Sequence, residues 1–329
     1  MGKRYFLIIT AFLLCVHAKA QPDTLGWRLE HYAYPYAVKW MYTTVQNQQV
    51  EIAYMDEQPA RWNGKTVLLL HGKNFPAAYW GSTIKELTGA GYRVIAPDAL
   101  GFGKSSKPIV QYSFSLLANI TRELLDTLNI KKADIIGHST GGMLATRFTL
   151  TYPDRVEKLV LADAIGLEDW RLKGAPYQQV DAWYKQERNA NYDDVLKVQK
   201  AYYANWKEDY RQWADVQYGM MKSANADQYA MVSALTYDMI FTQPVVHEFP
   251  WIKVLTLVIV GKEDKTKIAK DAPANVTDKL GDYKKLGKET AHAIPGAQLI
   301  EYEHSGHLPF FERPADFYKD VERFLSLQQ

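Results

Sequence analysis

The stretch Ile135-Ile136-Gly137-His138-Ser139-Thr140-Gly141-Gly142 decides the fold. It places Gly-x-Ser-x-Gly between an apolar run typical of a buried strand and a helix predicted over residues 140–152. In that context the serine lies on a tight, strained turn, and the small glycines on either side let neighbouring backbone pass close by. The helix directs free N–H groups and the positive end of its dipole at negative charge forming on a substrate. The pattern therefore predicts Ser139 as a nucleophile, with a structural glycine-rich turn as the alternative.

Short apolar runs alternate with helix-like segments on both sides of this motif. The runs are Thr66–Leu70, 93–96, 133–136 and 158–161, and strand texture returns at 254–260 and Gln298–Tyr302. Helices are expected at 113–128, 140–152 and 314–327. Continuous apolar strands alternating with helices are what a parallel sheet covered on both faces requires. An alternating segment at 39–53 predicts an antiparallel hairpin before that sheet.

The alternation of apolar, strand-like runs with helix-like segments stops after Ile165. Residues 167–250 contain four Trp and nine Tyr, many polar residues and no clear strand. This texture predicts a mostly helical insertion, which over a parallel sheet has the geometry of a lid. We therefore divide the chain into a first core part at 21–165, a helical cap at 166–252 and a second core part at 253–329.

The first twenty residues differ from the rest. Lys3 and Arg4 precede an apolar run that ends at Val16, and Ala18-Lys19-Ala20 has the small-x-small pattern of a cleavage site. The run is shorter than a bilayer-spanning helix requires. It predicts a signal peptide at residues 1–20 and an exported protein, periplasmic or secreted; an uncleaved N-terminal anchor is the alternative.

Composition narrows the class of protein further. The chain has 329 residues, 47% of them hydrophobic and 23% charged, with one Cys and a formal charge of +2, which is typical of a folded soluble protein. Removing residues 1–20 removes three basic residues, no acidic residue and the only Cys, so the charge falls to −1. The mature chain then has no thiol nucleophile and no thiolate metal site. It also has no basic stripe typical of nucleic-acid binding and no later apolar stretch long enough to anchor it in a membrane.

Four further segments, together with the serine motif, resemble the α/β-hydrolase superfamily in the right order. They are Leu68-Leu69-Leu70-His71-Gly72, residues 96–98 with 101–105, residues 258–264, and His304-Ser305-Gly306-His307 followed by residues 312–314. The resemblance covers about residues 36–324 apart from the insertion. It implies an α/β-hydrolase fold: a mostly parallel sheet flanked by helices, with a helical cap inserted after the sixth strand. It also implies a serine hydrolase that acts on a small acyl substrate without a cofactor.

The resemblance assigns a base and an acid to the serine. A histidine suits the base because its pKa lies near neutrality, and His307 matches the family position. His304, three residues earlier, is its close rival; the pair lacks an obvious third ligand, so no metal site is expected. Asp264 is the expected acid, in the chain order Ser…Asp…His that this fold uses. Asp163, at the end of the preceding strand, is the alternative acid because some members of the family carry it there.

The spacing between acid and base is unusual. Asp264 and His307 are 43 residues apart, which is longer than usual for this family, and the excess is the lysine-rich stretch 265–288. We expect this stretch to be an additional surface loop with a solvated charged face. The alternative is that it borders the mouth of the active site.

An oxyanion needs two backbone N–H donors, and the resemblance assigns them to Lys73 and Thr140. The Lys73 side chain either reaches solvent or meets an anionic group of the substrate. Asn74, Phe75 and His138 are candidates for the substrate pocket. His71 and Asp98 are left out of the catalytic set, because the matching residues of related proteins hold loops by hydrogen bonds.

The expected reaction is cleavage of a carboxylic ester or a similar small acyl substrate. Relatives that open epoxides or displace halide carry an aspartate where this chain has Ser139, which argues against those activities. A proline-type aminopeptidase or a carbon-carbon bond hydrolase could use the same residues, and the former would need cap acids such as Glu168, Asp169 or Glu187. A non-catalytic ligand-binding homologue is the alternative from another class. The oligomeric state is not predicted.

Overall fold

The structure, a computed structural model, describes residues 25–328. The predicted signal peptide therefore lies outside the described residues. The sheet has eight strands in the order β1-β2-β4-β3-β5-β6-β7-β8. They are β1 (Val38–Val45), β2 (Gln48–Glu57), β3 (Thr66–Leu70), β4 (Arg93–Pro97), β5 (Ala133–His138), β6 (Val156–Ala162), β7 (Leu255–Gly261) and β8 (Gln298–Tyr302).

The first two strands form the predicted antiparallel hairpin, and β2 also pairs antiparallel with β4. All later pairs are parallel. Gln46 and Asn47 connect β1 to β2 with φ of 47° and 64°. Positive φ at both residues is what a two-residue hairpin turn matched to the strand twist requires.

Helices cover both faces of the sheet. The helices of the described chain are α1 (Gly81–Gly89), α2 (Phe114–Thr127), α3 (Thr140–Thr151), α4 (Val180–Asn189), α5 (Tyr192–Ala201), α6 (Arg211–Met221), α7 (Ala226–Thr242), α8 (Ala274–Thr277), α9 (Tyr283–Ala293), α10 (Pro309–Glu312) and α11 (Pro314–Ser326). In β3, Leu68 and Leu70 pack into the apolar cluster that includes side chains of α2 and α3, and Val67 and Leu69 pack into the cluster with α1 and α11. Because successive strand residues point to opposite faces, this continuous apolar strand is buried on both sides.

The stretch between β6 and β7 contains helices and loops and no strand. Within it, α4 packs on α7: the Trp183 ring lies 5.3 Å from the ring of Tyr237 and 5.8 Å from that of Phe241, centroid to centroid. The chain enters this stretch from the carboxyl end of β6 and returns to the amino end of β7. Contacts of Tyr202 with His307 and of Ser233 with Lys73 place the helices over the loops that follow the parallel strands. Within residues 25–328, no helix has the length and apolar character needed to cross a bilayer.

Candidate active site

Ser139 lies on a strained turn between β5 and α3. Its φ of 54° and ψ of −122° lie in a region that residues other than glycine rarely adopt. A Cβ on Gly137 would lie 2.4 Å from the Gly141 carbonyl oxygen, and a Cβ on Gly141 would lie 2.1 Å from the Leu70 carbonyl oxygen. The glycines on either side of the serine therefore allow backbone contacts that no larger residue would permit, as the sequence predicts.

Asp264 and His307 form a buried pair at the same edge of the sheet. His307 Nδ1 donates to Asp264 Oδ2 at 2.7 Å, and the two side chains are 1% and 0% exposed. Asp264 follows β7 and His307 follows β8, so the parallel pairing of these strands brings the two loops together. The Tyr202 ring stacks on the His307 imidazole at 5.1 Å, and the Tyr202 carbonyl accepts the His307 backbone N–H at 2.6 Å. The cap thus holds the imidazole from the side opposite the sheet.

The two rivals, Asp163 and His304, make other contacts. The Asp163 carboxyl is fully buried and accepts the Gly261 N–H through Oδ1 at 2.8 Å. Burial and the neighbouring Asp264 charge raise the pKa of Asp163 well above its usual range. His304 is 77% exposed and pairs with Glu263 at 3.2 Å. Of the candidates, the structure brings Asp264 and His307 into contact with each other.

The backbone N–H groups of Lys73 and Thr140 are both available at the site. Each residue lines the cavity that contains Ser139. Within residues 25–328, neither N–H donates to a protein acceptor. Thr140 opens α3, where the first N–H groups of a helix have no partner inside the helix. Two unpaired donors beside the serine are what an oxyanion requires.

His71 and Asp98 hold the surrounding loops. His71 Nδ1 donates to the Gly72 carbonyl at 2.9 Å and its Nε2 accepts the Ala99 N–H at 2.9 Å. Asp98 accepts the Ala77 N–H at 2.6 Å and the Tyr34 hydroxyl at 2.6 Å. Both residues therefore fix loops rather than face a substrate.

His138, a candidate for the substrate pocket, does not line the Ser139 cavity. It is fully buried; its Nε2 donates to the His307 carbonyl at 2.7 Å, and its Nδ1 accepts from the Tyr79 hydroxyl at 3.0 Å. The same hydroxyl accepts the Gly72 N–H at 3.1 Å. Burial lowers the pKa of His138 well below its usual range, so the ring stays neutral in this arrangement.

A cavity of about 240 Å³ opens at Ser139. Asn74 lines it, and its amide donates to the Tyr202 hydroxyl at 3.2 Å. Phe75 does not line it: the Phe75 ring stacks on Tyr79 at 5.1 Å and borders a separate cavity of about 20 Å³.

Two hydroxyls in the wall of the Ser139 cavity are left without partners. They belong to Thr140 and Thr266, and both oxygens are buried with no hydrogen-bond partner in the described part of the chain. Both hydroxyls are therefore free to bond a polar group that enters the cavity.

The stretch 265–288 is more than the surface loop expected for it. Lys265, Lys267 and Lys270 line the Ser139 cavity. Ile268 and Val276 are buried in the same apolar cluster as the helices α2 and α3. The stretch therefore forms one wall of the active-site mouth, which is the alternative that the sequence left open.

The acidic cap residues considered for a peptidase either pair with a basic side chain or line a cavity other than that of Ser139. Glu168 pairs with Lys173, and Asp169 pairs with Arg171 at 2.9 Å. Glu187 lines a larger cavity inside the cap rather than the Ser139 cavity. Residues 25–328 contain no group of three His, Cys, Asp or Glu side chains arranged to hold a metal ion.

Sequence reasoning missed Tyr202 and Tyr79. Tyr202 contacts the His307 ring and lines the Ser139 cavity, and Tyr79 joins the oxyanion loop to His138. The aromatic richness of the insertion indicates that some of its rings line a pocket, but it does not single out one tyrosine among nine.

The fold and the geometry together define an α/β hydrolase. The family model for the alpha/beta hydrolase fold matches residues 65–314, and the chain belongs to this family. A probable hydrolytic enzyme from Pseudomonas aeruginosa PAO1 is 45% identical; its crystal structure has a TM-score of 0.90 over 92% of this chain and 98% of that one. A haloalkane dehalogenase of Mycolicibacterium paratuberculosis is 30% identical over 184 residues, 55% of this chain and 58% of that protein. A 2-hydroxy-6-oxo-6-phenylhexa-2,4-dienoate hydrolase of Burkholderia cepacia is 34% identical over 126 residues, 37% of this chain and 44% of that protein.

Proposed function

We propose that this α/β hydrolase is a serine hydrolase that cleaves a carboxylic ester or a similar small acyl substrate through an acyl-enzyme. The observation that carries the proposal is the contact of 2.7 Å between His307 Nδ1 and Asp264 beside the strained Ser139 turn. A carboxylate on Nδ1 orients the imidazole and leaves Nε2 as the proton acceptor.

Each residue has one task in the proposed reaction. Ser139 Oγ attacks the carbonyl carbon while His307 Nε2 takes the hydroxyl proton, and the N–H groups of Lys73 and Thr140 hold the oxyanion. The tetrahedral intermediate collapses, the C–O bond to the leaving group breaks, and His307 gives its proton to the departing alkoxide. Water then attacks the acyl-enzyme with His307 as base, which releases the acid and restores Ser139.

The similarity to a haloalkane dehalogenase and to a dienoate hydrolase raises two alternatives to ester hydrolysis. Halide displacement is disfavoured because position 139 is Ser, where the family resemblance implies Asp for that chemistry. Cleavage of a carbon-carbon bond is the second candidate, supported by the similarity to the dienoate hydrolase. It would use the same Ser139 and His307, so activity on a panel of esters, lactones, amides and vinylogous 1,5-diketones separates the two.

The test is hydrolysis of short p-nitrophenyl esters by the mature protein and by Ser139→Ala. We expect turnover by the wild type only, and labelling of the wild type but not of the variant by a fluorophosphonate probe. Turnover equal to that of Ser139→Ala at all chain lengths, together with no labelling, would overturn the proposal and favour a ligand-binding homologue.

We also propose that the chain is exported after cleavage before Gln21, on the basis of the charged, apolar and small-residue order of residues 1–20. N-terminal sequencing of the protein from the periplasm or medium should begin at Gln21. Recovery of the full chain in the membrane fraction would support the uncleaved anchor instead.

A further inference from the structure

The Lys73 side chain leaves the oxyanion loop and enters the cap. Its ammonium donates to the Ser233 hydroxyl on α7 at 2.6 Å and lies 5.8 Å from the centroid of the Tyr237 ring. Lys73 therefore has its backbone N–H at the reacting end of the cavity and its charge among cap residues. A lysine side chain places these two groups about 6 Å apart.

This ammonium has no carboxylate partner. Within residues 25–328, no Asp or Glu oxygen lies within 4.0 Å of Lys73 Nζ, although the side chain is partly buried. Glu187 acts on it electrostatically from a greater distance, and Lys270 opposes that effect. Burial lowers the pKa of Lys73 for lack of a close counter-charge. A partly buried cation without an anion indicates a place where a ligand supplies one.

The Ser233 hydroxyl is a second hydrogen-bond donor beside the Lys73 ammonium. Its hydroxyl accepts from Lys73, and in the described chain its own proton has no acceptor. A carboxylate oxygen beside the two residues could therefore accept from both an ammonium and a hydroxyl. Hydrogen bonds of this charge-assisted kind are stronger than those between neutral groups.

The position of Lys73 links this donor pair to the reaction. Lys73 lines the Ser139 cavity and also a cap cavity of about 580 Å³. The two cavities share the lining residues Lys73, Asn74, Val198, Ala201, Tyr237 and Lys270. The wall of the Ser139 cavity includes four lysines and no Asp or Glu among the described residues. The positive charge is therefore concentrated at the Ser139 end, since the cap cavity, which Ser233 also lines, balances three lysines with Glu187, Asp194 and Asp271.

We propose that the substrate carries a carboxylate that is bound by the Lys73 ammonium and the Ser233 hydroxyl while its ester carbonyl lies at Ser139. This inference rests on the proposed ester hydrolysis and adds the class of substrate. The carboxylate belongs either to the acyl part of the ester or to its leaving group, and the experiment has an arm for each.

The experiment compares charged and neutral esters of matched length. Monomethyl adipate against dimethyl adipate places the carboxylate on the acyl side, and 4-acetoxybutanoate against its methyl ester places it on the leaving-group side. The measured quantity is the ratio of kcat/KM for the charged ester to that for the neutral one. We expect the wild type to favour the charged ester in one arm, and Lys73→Met to lower that ratio about 10- to 100-fold.

Two further variants secure the result. Ser233→Ala should lower the same ratio about 3- to 10-fold, and it keeps the test open if Lys73→Met does not fold. Lys319→Met removes an exposed lysine of α11 and should leave the ratio unchanged. Equal ratios for the wild type, Lys73→Met and Ser233→Ala in both arms would overturn the inference.

Failure of the inference and failure of the proposed function have different signatures. If a fluorophosphonate labels Ser139 and neutral esters turn over without any preference for charge, only the inference fails. If no ester turns over, thermal stabilisation by adipate decides: stabilisation that disappears in Lys73→Met supports the anion site and overturns ester hydrolysis. Absence of stabilisation overturns the anion site as well.

Discussion

Asp134, at the start of β5, is a buried carboxyl whose charge is poorly compensated. It is 1% exposed, and neither carboxyl oxygen has a hydrogen-bond partner in residues 25–328. Burial raises its pKa to about 6, and the attraction of the Lys158 ammonium offsets only part of this effect. Lys158 itself donates to the Leu325 carbonyl at 3.1 Å rather than to Asp134. We therefore predict that ionisation of Asp134 destabilises the folded protein.

The size of this effect follows from the difference between the two pKa values. The folded value of about 6 is above the ordinary value of 3.8, so the folded state binds the proton more tightly than the unfolded chain does. The stability that this proton supplies is fully present below pH 3.8 and is lost as the pH rises through 6. With about 1.4 kcal/mol for each pKa unit, the loss is about 3 kcal/mol at neutral pH, and about 2 kcal/mol of it falls between pH 4.5 and 7.5.

Asp134→Asn removes the titration and keeps the shape of the side chain. Urea unfolding at pH 4.5 and 7.5 gives the free energy of unfolding of the variant relative to the wild type at each pH. We expect this difference to move in favour of the variant by about 2 kcal/mol at the higher pH. Asp154→Asn, at an exposed position, is the matched control and should show no such change. A pH-independent difference for Asp134→Asn would refute the reasoning.

Three further predictions concern the site. Asp264→Asn should lower kcat on p-nitrophenyl acetate by several orders of magnitude and Asp163→Asn by much less, because only Asp264 contacts the imidazole; the reverse order would make Asp163 the acid. Gly306→Ala places a Cβ 2.4 Å from the Tyr202 carbonyl oxygen, so the cap must shift. We expect the free energy of unfolding in urea to fall by about 1–3 kcal/mol and the activity to weaken. Unchanged stability would contradict the contact. Tyr79→Phe leaves a buried N–H and an imidazole nitrogen unpaired and should cost about 1–3 kcal/mol in the same assay, with a change near zero counting against the network.

The strands β3 to β7 were predictable because each is a short apolar run that is almost wholly buried. Residues 66–70 and 298–302 are strands with the predicted bounds, and the helix expected at 113–128 is observed at Phe114–Thr127. Its start is fixed locally, since the Ser113 hydroxyl accepts the Leu116 N–H at 3.0 Å. Elements set by such local chemistry need no knowledge of distant packing.

The residues of the site differ in the same way: some are fixed by neighbouring sequence and others by packing between distant segments. The Ser139 turn follows from glycines two residues away on either side, so the sequence reveals it directly. The contact between His307 and Tyr202 joins residues far apart in the chain, and it depends on how the cap settles on the sheet. The place of His138 next to Ser139 suggests a shared pocket, whereas its ring is buried between the Tyr79 hydroxyl and the His307 carbonyl, which lie far from it in the chain.

Lys73 couples the proposed binding of a substrate carboxylate to the proposed stabilisation of the oxyanion. Its backbone N–H is a proposed donor to the oxyanion, and its ammonium, bonded to Ser233 of the cap, is the proposed anchor for a carboxylate. Because both groups belong to one residue, a substrate held at the ammonium has its distance from the oxyanion donor fixed by the lysine side chain. Binding energy at the remote charge then orients the ester carbonyl toward Ser139, which raises kcat as well as affinity. An ester of the same length without the charge would reach the same serine but lose this orientation.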